Sequence, residues 1–298
     1  MQPRIDGGAR FYEGIIATMN IRNELNDLAG NEWLYWTDTL YLTHFPPDST
    51  HHLRKMHGAI KPPQLMADII RFFTKRDQLI LDPFAGVGST LLGAALCGRK
   101  AVGFEINETW VRIYQKICRN YVVAEKGLAP RDMPGSQECG PIDCPMLNGD
   151  CLQLFGLFQD ESVDAVITDP PYGCHHGCKG FRGETNFNMK NDQPGDLGNA
   201  ADFEIYLKNM EKVGREVRRL LKPGRYFVLL VGDRYFHGEY VPLGMQTAVR
   251  LQAAGFKLKG IKIWSNRATV RPLRPYGIYR CFVPNITHQN IIILQKGV

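Results

Sequence analysis

Asp82, Glu105, Asp150 and Asp169 each close a short apolar run: "QLILD", "KAVGFE", "MLNGD" and "VDAVITD". If the runs are strands, the four carboxylates stand at strand carboxyl ends, where open α/β sheets bind their ligands. A single acid there is an ordinary helix cap, whereas four at separate strand ends describe a site. The first opens "DPFAGVGST" (82–90). Gly86 and Gly88 let the main chain turn tightly and approach a ligand closely, and Phe84 offers an apolar wall. No Lys follows the second glycine and a third glycine is missing, so this is neither a Walker loop nor a dinucleotide fingerprint. Glu105 is placed to accept ribose hydroxyls, and Asp150 to accept from an exocyclic amino group. These features suit a nucleoside-bearing cofactor held without a phosphate grip. S-adenosylmethionine meets that description, with the glycine turn and Asp82 near its amino-acid tail.

Asp169 leads a second stretch, "ITDPPYGCHHG" (167–177). Its carboxylate is an acceptor at a strand end. Pro170 and Pro171 fix φ and remove two main-chain donors, so the carbonyls that follow are expected to point outward. Tyr172 offers a flat face. An amino group bonded to the carboxylate and to a carbonyl, with its ring on Tyr172, would be held in line for attack on an electrophilic methyl. Such catalysis works by positioning. The plain alternative is a rigid proline turn.

These residues need a scaffold. "PPQLMADIIRFFT" predicts a helix over about 62–73, with prolines at its start and apolar residues at helical spacing. Strand-like and helix-like runs then alternate: a helix in "STLLGAALCG", another through "ETWVRIYQKICRNYV", and a long amphipathic one in "FEIYLKNMEKVGREVRRLLKPG" with a Gly stop. The strand "RYFVLLVGD", the helix "PLGMQTAVRLQAAG" and two last strands, "FKLKGIKIW" and "NIIILQK", complete the series. The pattern predicts an α/β fold, a mostly parallel sheet with a closing antiparallel strand and helices on both faces. Residues 1–56 are expected to form an N-terminal extension or lid and 57–298 the catalytic domain, with short loop insertions at 124–146 and 173–203.

The 298 residues carry a net charge of +6, with 44% hydrophobic and 22% charged residues, a balance that argues against disorder and is compatible with a polyanionic partner. No run is long and apolar enough to span a bilayer, and the N-terminus has no signal-peptide core. A cytoplasmic location with reduced thiols follows as the expectation. Cys139 and Cys144, and Cys174, His175, His176 and Cys178, bring zinc ligands together, but neither cysteine pair has the two-residue gap of structural zinc modules. They are read as loop residues, and no metal is assigned.

With "DPFAGVGST" and "DPPY" in this order, the chain resembles the amino-methyltransferases of nucleic-acid bases, the adenine-N6 and cytosine-N4 DNA methyltransferases. "HGAIKPPQLMADIIRFF", "LLKPGRYFVLLVGD", "AGFKLKGIKIW" and "HQNIIILQK" are similar to further segments of that family, so the resemblance covers about 57–298. It implies a Rossmann-like class I methyltransferase fold. It also implies a cofactor site of Lys61, Pro62, Asp82, Phe84, Gly86, Gly88, Glu105 and Asp150, and an amine-holding site of Asp169, Pro170, Pro171 and Tyr172. "DPPY" is the form usual for adenine, so DNA adenine N6 is the expected target. The alternatives are cytosine N4, guanine N2 of transfer RNA, and a non-catalytic nucleic-acid-binding subunit. A base inside a duplex must be extruded, or the substrate be single-stranded. Backbone contacts are assigned to Arg267, Arg271, Arg274 and Arg280 with Lys179 and Arg182. A homodimer or a restriction partner fits this family.

Overall fold

The computed structural model describes residues 22–133, 140–174, 193–269, 273 and 282–298. The strands are β1 (Leu40–Thr43), β2 (Leu79–Asp82), β3 (Lys100–Glu105), β4 (Tyr121–Ala124), β5 (Gly127–Pro130), β6 (Met146–Asn148), β7 (Val163–Thr168), β8 (Leu221–Val231), β9 (Arg234–Phe236), β10 (Glu239–Val241), β11 (Lys257–Asn266) and β12 (Gln289–Gln295). Eight of them form one sheet in the order β1-β11-β12-β8-β7-β2-β3-β6, while β4–β5 and β9–β10 are separate two-stranded ribbons. Within the large sheet β12 alone runs against its neighbours; the other pairings are parallel.

The helices are α1 (Gly30–Trp36), α2 (His51–Arg54), α3 (Pro63–Phe73), α4 (Ser89–Leu96), α5 (Glu108–Asn120), α6 (Cys151–Leu154), α7 (Phe203–Leu220) and α8 (Leu243–Ala253). They split between the two faces of the sheet. Leu65, Met66, Ile69 and Phe73 of α3, Leu91 and Leu92 of α4, and Tyr114 and Ile117 of α5 share one buried cluster. Tyr206, Met210, Val213 and Val217 of α7, Leu251 of α8, and Phe155 share the other. Strands covered on both sides read as continuous apolar runs, which is why "VDAVIT" is buried along its whole length. This is the class I Rossmann-like architecture that the sequence predicts.

The strand order reverses between β2 and β7: from β2 the chain steps out through β3 to β6, and from β7 through β8 towards β12. That switch point is where a crevice opens at the carboxyl end of an α/β sheet. Asp82 is the last residue of β2 and Asp169 follows β7 directly.

Three stretches differ from the sequence reading. Over its described part the segment 1–56 adds β1 to the sheet, pairing Leu40–Thr43 with Ile263–Asn266. Asn266 exchanges side-chain bonds with the main chain of Phe45 at 2.8 Å, and Trp264 Nε1 donates to Thr43 Oγ1 at 3.0 Å. Secondly, α5 stops at Asn120, and Tyr121–Ala124 turns back on Gly127–Pro130 as a ribbon, as its Tyr-Val-Val sequence favours. Thirdly, α7 ends at Leu220, and the expected Lys-Pro-Gly stop lies inside β8. Pro223 cannot donate to a ladder, and it falls where the register between β7 and β8 shifts.

Candidate active site

A cleft opens at the switch point. Of the sequence-predicted cofactor residues it brings together Asp82, Phe84, Gly86, Glu105 and Asp150, and it reaches Asp169 and Pro171. Gly88, Lys61 and Pro62 stand outside its lining, as do Pro170 and Tyr172. His57, Ile106, Trp110, Ser89 and Asp196 line it as well. Trp110, in the first turn of α5, sets its ring edge-on to His57 at 5.0 Å. An aromatic on the opening turn of an amphipathic helix reads as core from sequence, so Trp110 gave no signal; His57 opens "HGAIKPPQLMADIIRFF", a segment whose family resemblance singled out Lys61 and Pro62 but not His57.

Gly88 turns the loop into α4 with φ +84°, and Tyr114 packs where a side chain at this position would begin. Glu105 is tied to the loop: Oε2 accepts from Gly86 N at 2.8 Å and Oε1 from Asn107 N at 2.7 Å. Burial pushes its carboxyl up to about 7, although these two N–H groups pull the other way. Asp82 is buried; Oδ1 accepts from Phe84 N at 3.0 Å and from the Thr168 hydroxyl. Burial raises it to about 6, against hydrogen bonds from Thr168, Thr90 and Phe84. Asp82 therefore braces the loop and the carboxyl end of β7 together. Asp150 caps α6 through Leu152 N at 2.9 Å.

Behind the loop lies a buried Arg54 that the sequence did not announce. It donates to Thr50 Oγ1 (2.9 Å), to the Lys61 carbonyl (3.1 Å) and to Ser89 Oγ (3.0 Å), and it pairs with Asp48. The segment preceding α3 is thus fastened to the first residue of α4.

At the carboxyl end of β7, Asp169 Oδ2 meets Lys61 Nζ at 2.5 Å and Oδ1 accepts the Tyr172 hydroxyl at 2.6 Å. The expectation that the carbonyls after the prolines point outward fails for two of them. Pro171 O accepts from Tyr206 Oη at 2.6 Å and from Gly173 N at 3.1 Å. Tyr172 O accepts from Arg234 Nη1 at 2.9 Å, and the same nitrogen reaches Cys174 O at 2.8 Å. Tyr172 also turns inwards: its ring lies on Gly232, where an added Cβ would stand 2.8 Å from Cε2, and the Lys61 ammonium is 5.2 Å from the ring centroid. Burial first, and then the charge of Asp169, raises the Tyr172 phenol well above its usual range, so it remains a donor.

Arg267 follows β11 as an exposed residue, and β11 points the same way as β7, so Arg267 is at the end of the sheet that carries the site. Lys179, Arg182, Arg271, Arg274 and Arg280 lie outside the described residues, as do Cys139, His175, His176 and Cys178. Cys144 and Cys174 are buried, and burial pushes the Cys144 thiol up to about 12. Among the described residues no group of three or more His, Cys, Asp and Glu side chains is placed to hold a metal, and no helix is long and apolar enough to cross a membrane.

The lining of the cleft tests the cofactor. Asp82, Glu105, Asp150, Asp169 and Asp196 face it, and among the described residues no Lys or Arg side chain lines it. That set repels phosphates and suits a nucleoside bearing a cationic sulfonium, with Ile106, Trp110 and Phe84 as apolar walls. The residues present therefore fit S-adenosylmethionine.

Fold and cleft together define a class I S-adenosylmethionine-dependent methyltransferase. The family model for DNA methylases that act at N6 and N4 matches residues 14–116 and 163–297, more than half of the chain, and the protein belongs to that family. A type II methyltransferase, M.HindIII of Haemophilus influenzae, is 49% identical over 51 residues, 17% of this chain and 16% of the relative. A tRNA (guanine(10)-N2)-dimethyltransferase of Methanothermobacter thermautotrophicus is 31% identical over 110 residues, 37% of this chain and 26% of the relative. The aligned stretches thus span about a sixth to a quarter of the length of these curated relatives. Among solved structures, TrmN from Thermus thermophilus superposes with a TM-score of 0.45 at 16% identity, over 78% of this chain and 48% of its own.

Proposed function

We propose that the protein methylates an exocyclic amino group of a nucleic-acid base, with guanine N2 of a transfer RNA as the leading target. The observation that carries the amine reading is Asp169, an acceptor at the carboxyl end of β7, at the mouth of the acidic cleft and fixed by Lys61. The guanine target is supported by the alignments. Curated tRNA (guanine(10)-N2)-dimethyltransferases align over 110 to 131 residues of this chain, whereas the DNA methyltransferases align over 51 to 82. The second reading is adenine N6 in DNA, supported by the family's description and by the 49% identity to M.HindIII.

Glu105 would hold the ribose hydroxyls, Asp150 the adenine amino group, and the Gly86 turn the amino-acid tail. When bound, S-adenosylmethionine supplies an electrophilic methyl: the amine lone pair takes it, the thioether leaves, and one N–H proton passes to Asp169 or solvent. The chain's own part is to orient that amine. Asp169 accepts one N–H. With the Pro171 and Tyr172 carbonyls taken, the Pro170 carbonyl is left to accept the other. Positioning of this kind contributes much of a methyl-transfer rate.

The test is incubation of the purified chain with radiolabelled S-adenosylmethionine and either unmodified transfer RNA or unmethylated DNA, followed by nucleoside mass spectrometry. N2-methylguanine is the expected product. N6-methyladenine from DNA would establish the second reading, and label in neither would refute both.

A further inference from the structure

Lys61 is 3% exposed, and its ammonium is spent on the one carboxylate placed for the target amine. A buried charge is costly unless it is paired and hydrogen-bonded, so Lys61 is held here by Asp169 rather than by the cofactor cleft, whose lining excludes it. Its carbonyl is gripped by Arg54, and its two predecessors, Ala59 and Ile60, wall the cleft. A single short segment therefore shapes the cofactor wall and aims the carboxylate. On the other oxygen of Asp169 the Tyr172 phenol donates a hydrogen bond at 2.6 Å, as an amine N–H would.

We infer that Lys61 is a positioning residue that fixes the Asp169 carboxylate through Oδ2, and that the Tyr172 hydroxyl occupies on Oδ1 the place of the target amine. The incoming amino group displaces the phenol, and the ring so released turns onto the base. This rests on the functional reading above, but the pairing itself is measurable without it.

The experiment uses the full chain and four variants: Lys61→Met, Lys61→Arg, Tyr172→Phe and Asp169→Asn, with Lys61→Met/Asp169→Asn as the double. Calorimetry with S-adenosylmethionine comes first. Lys61→Met should keep the wild-type affinity, and a loss of binding parallel to a loss of turnover would return Lys61 to the cofactor and overturn the inference. On whichever nucleic acid the wild type methylates, Lys61→Met should lower kcat about a hundredfold, the scale of a misplaced reacting group, with a much smaller change in KM. Lys61→Arg should recover a good part of that loss. Undiminished kcat in Lys61→Met would overturn the positioning role. Tyr172→Phe deletes the competing donor and keeps the ring, so KM for the nucleic acid should fall about three- to tenfold, the worth of one hydrogen bond; a raised KM would overturn the displacement. Thermal melting completes the set. Lys61→Met and Asp169→Asn should each lower the Tm, and the double variant should lower it by less than their sum. Additive shifts would refute the pairing. If the wild type methylates neither substrate, the functional reading fails, while the melting cycle still decides whether Lys61 and Asp169 act as a pair.

Discussion

At the scale of single residues the site is a set of carboxylates in different settings. On the proposed reading Asp169 holds the target amine, so Asp169→Ala should cut kcat by about 10²–10⁴ and leave S-adenosylmethionine affinity nearly unchanged, as calorimetry against turnover will show. Glu105 carries a pH signature. Burial pushes its carboxyl up to about 7, from an ordinary 4.5. A folded-state pKa raised in this way means that the unfolded chain binds fewer protons between these values, so this group's contribution to stability declines as pH climbs from about 4.5 to about 7. If Glu105 accepts the ribose hydroxyls as its anion, as proposed, binding expels a proton below pH 7. S-adenosylmethionine affinity should accordingly strengthen with rising pH, by at most about tenfold per unit below pH 7, and level off above. Glu105→Gln should bind more weakly and lose most of this dependence in a titration series. Asp82 and Glu105 were legible because an acid that ends an apolar run announces a strand end. The Lys61–Asp169 pair was not, since 108 positions separate the two and only the folded sheet brings them together.

At the scale of elements, the loop between β2 and α4 is held from two sides. Gly88→Ala would place a Cβ against Tyr114 in a left-handed conformation. The dihedral alone costs about 1–3 kcal/mol and overpacking a similar amount, so a clear drop in Tm with weaker cofactor binding is expected. Arg54 fastens the other side. Arg54→Ala leaves Asp48 without its buried partner, which costs about 3–5 kcal/mol and should show in denaturant unfolding together with a raised S-adenosylmethionine Kd. The glycines were visible as a motif because their spacing is local. Arg54 was not, since its link to the loop runs to Ser89, 35 positions away, and a lone Arg in "HHLRKMHG" has no periodic mark. The alternating helices and strands were readable because each buries a face with its own period. The ribbon of β9 and β10, which supplies Arg234, is short and half-exposed and carries no such period.

At the scale of the whole molecule, Leu40–Thr43 of the N-terminal segment extends the sheet beside β11. Lys262, 4% exposed, donates to the Trp36 carbonyl at 2.7 Å and lies 5.1 Å from the Trp36 ring centroid. Removing residues 1–47 would strip β1 from β11 and uncover an unpaired strand edge. Such a truncation should aggregate on expression and not yield a soluble, merely slower enzyme, which size-exclusion chromatography will decide. An aromatic-rich stretch lacking a clear period concealed β1 in the sequence. On the charged side, Arg267→Ala should raise KM for the nucleic acid and reduce the salt slope of binding by about one.

Gly232 gives the floor under Tyr172 a direction. With the backbone of the 232 position in contact with the ring, the phenol has no room to sink when it is pushed off Asp169. On the proposed displacement it would swing away from Gly232, towards the arriving base. Release and capture would then be a single stroke: a ligand too small to reach the ring would not hold it open, and a bulkier side chain at 232, such as Gly232→Val, would wedge it permanently outward. Selectivity for a base over a free amine would thus be mechanical, set by whether the visitor carries a ring broad enough to give the displaced tyrosine somewhere to rest.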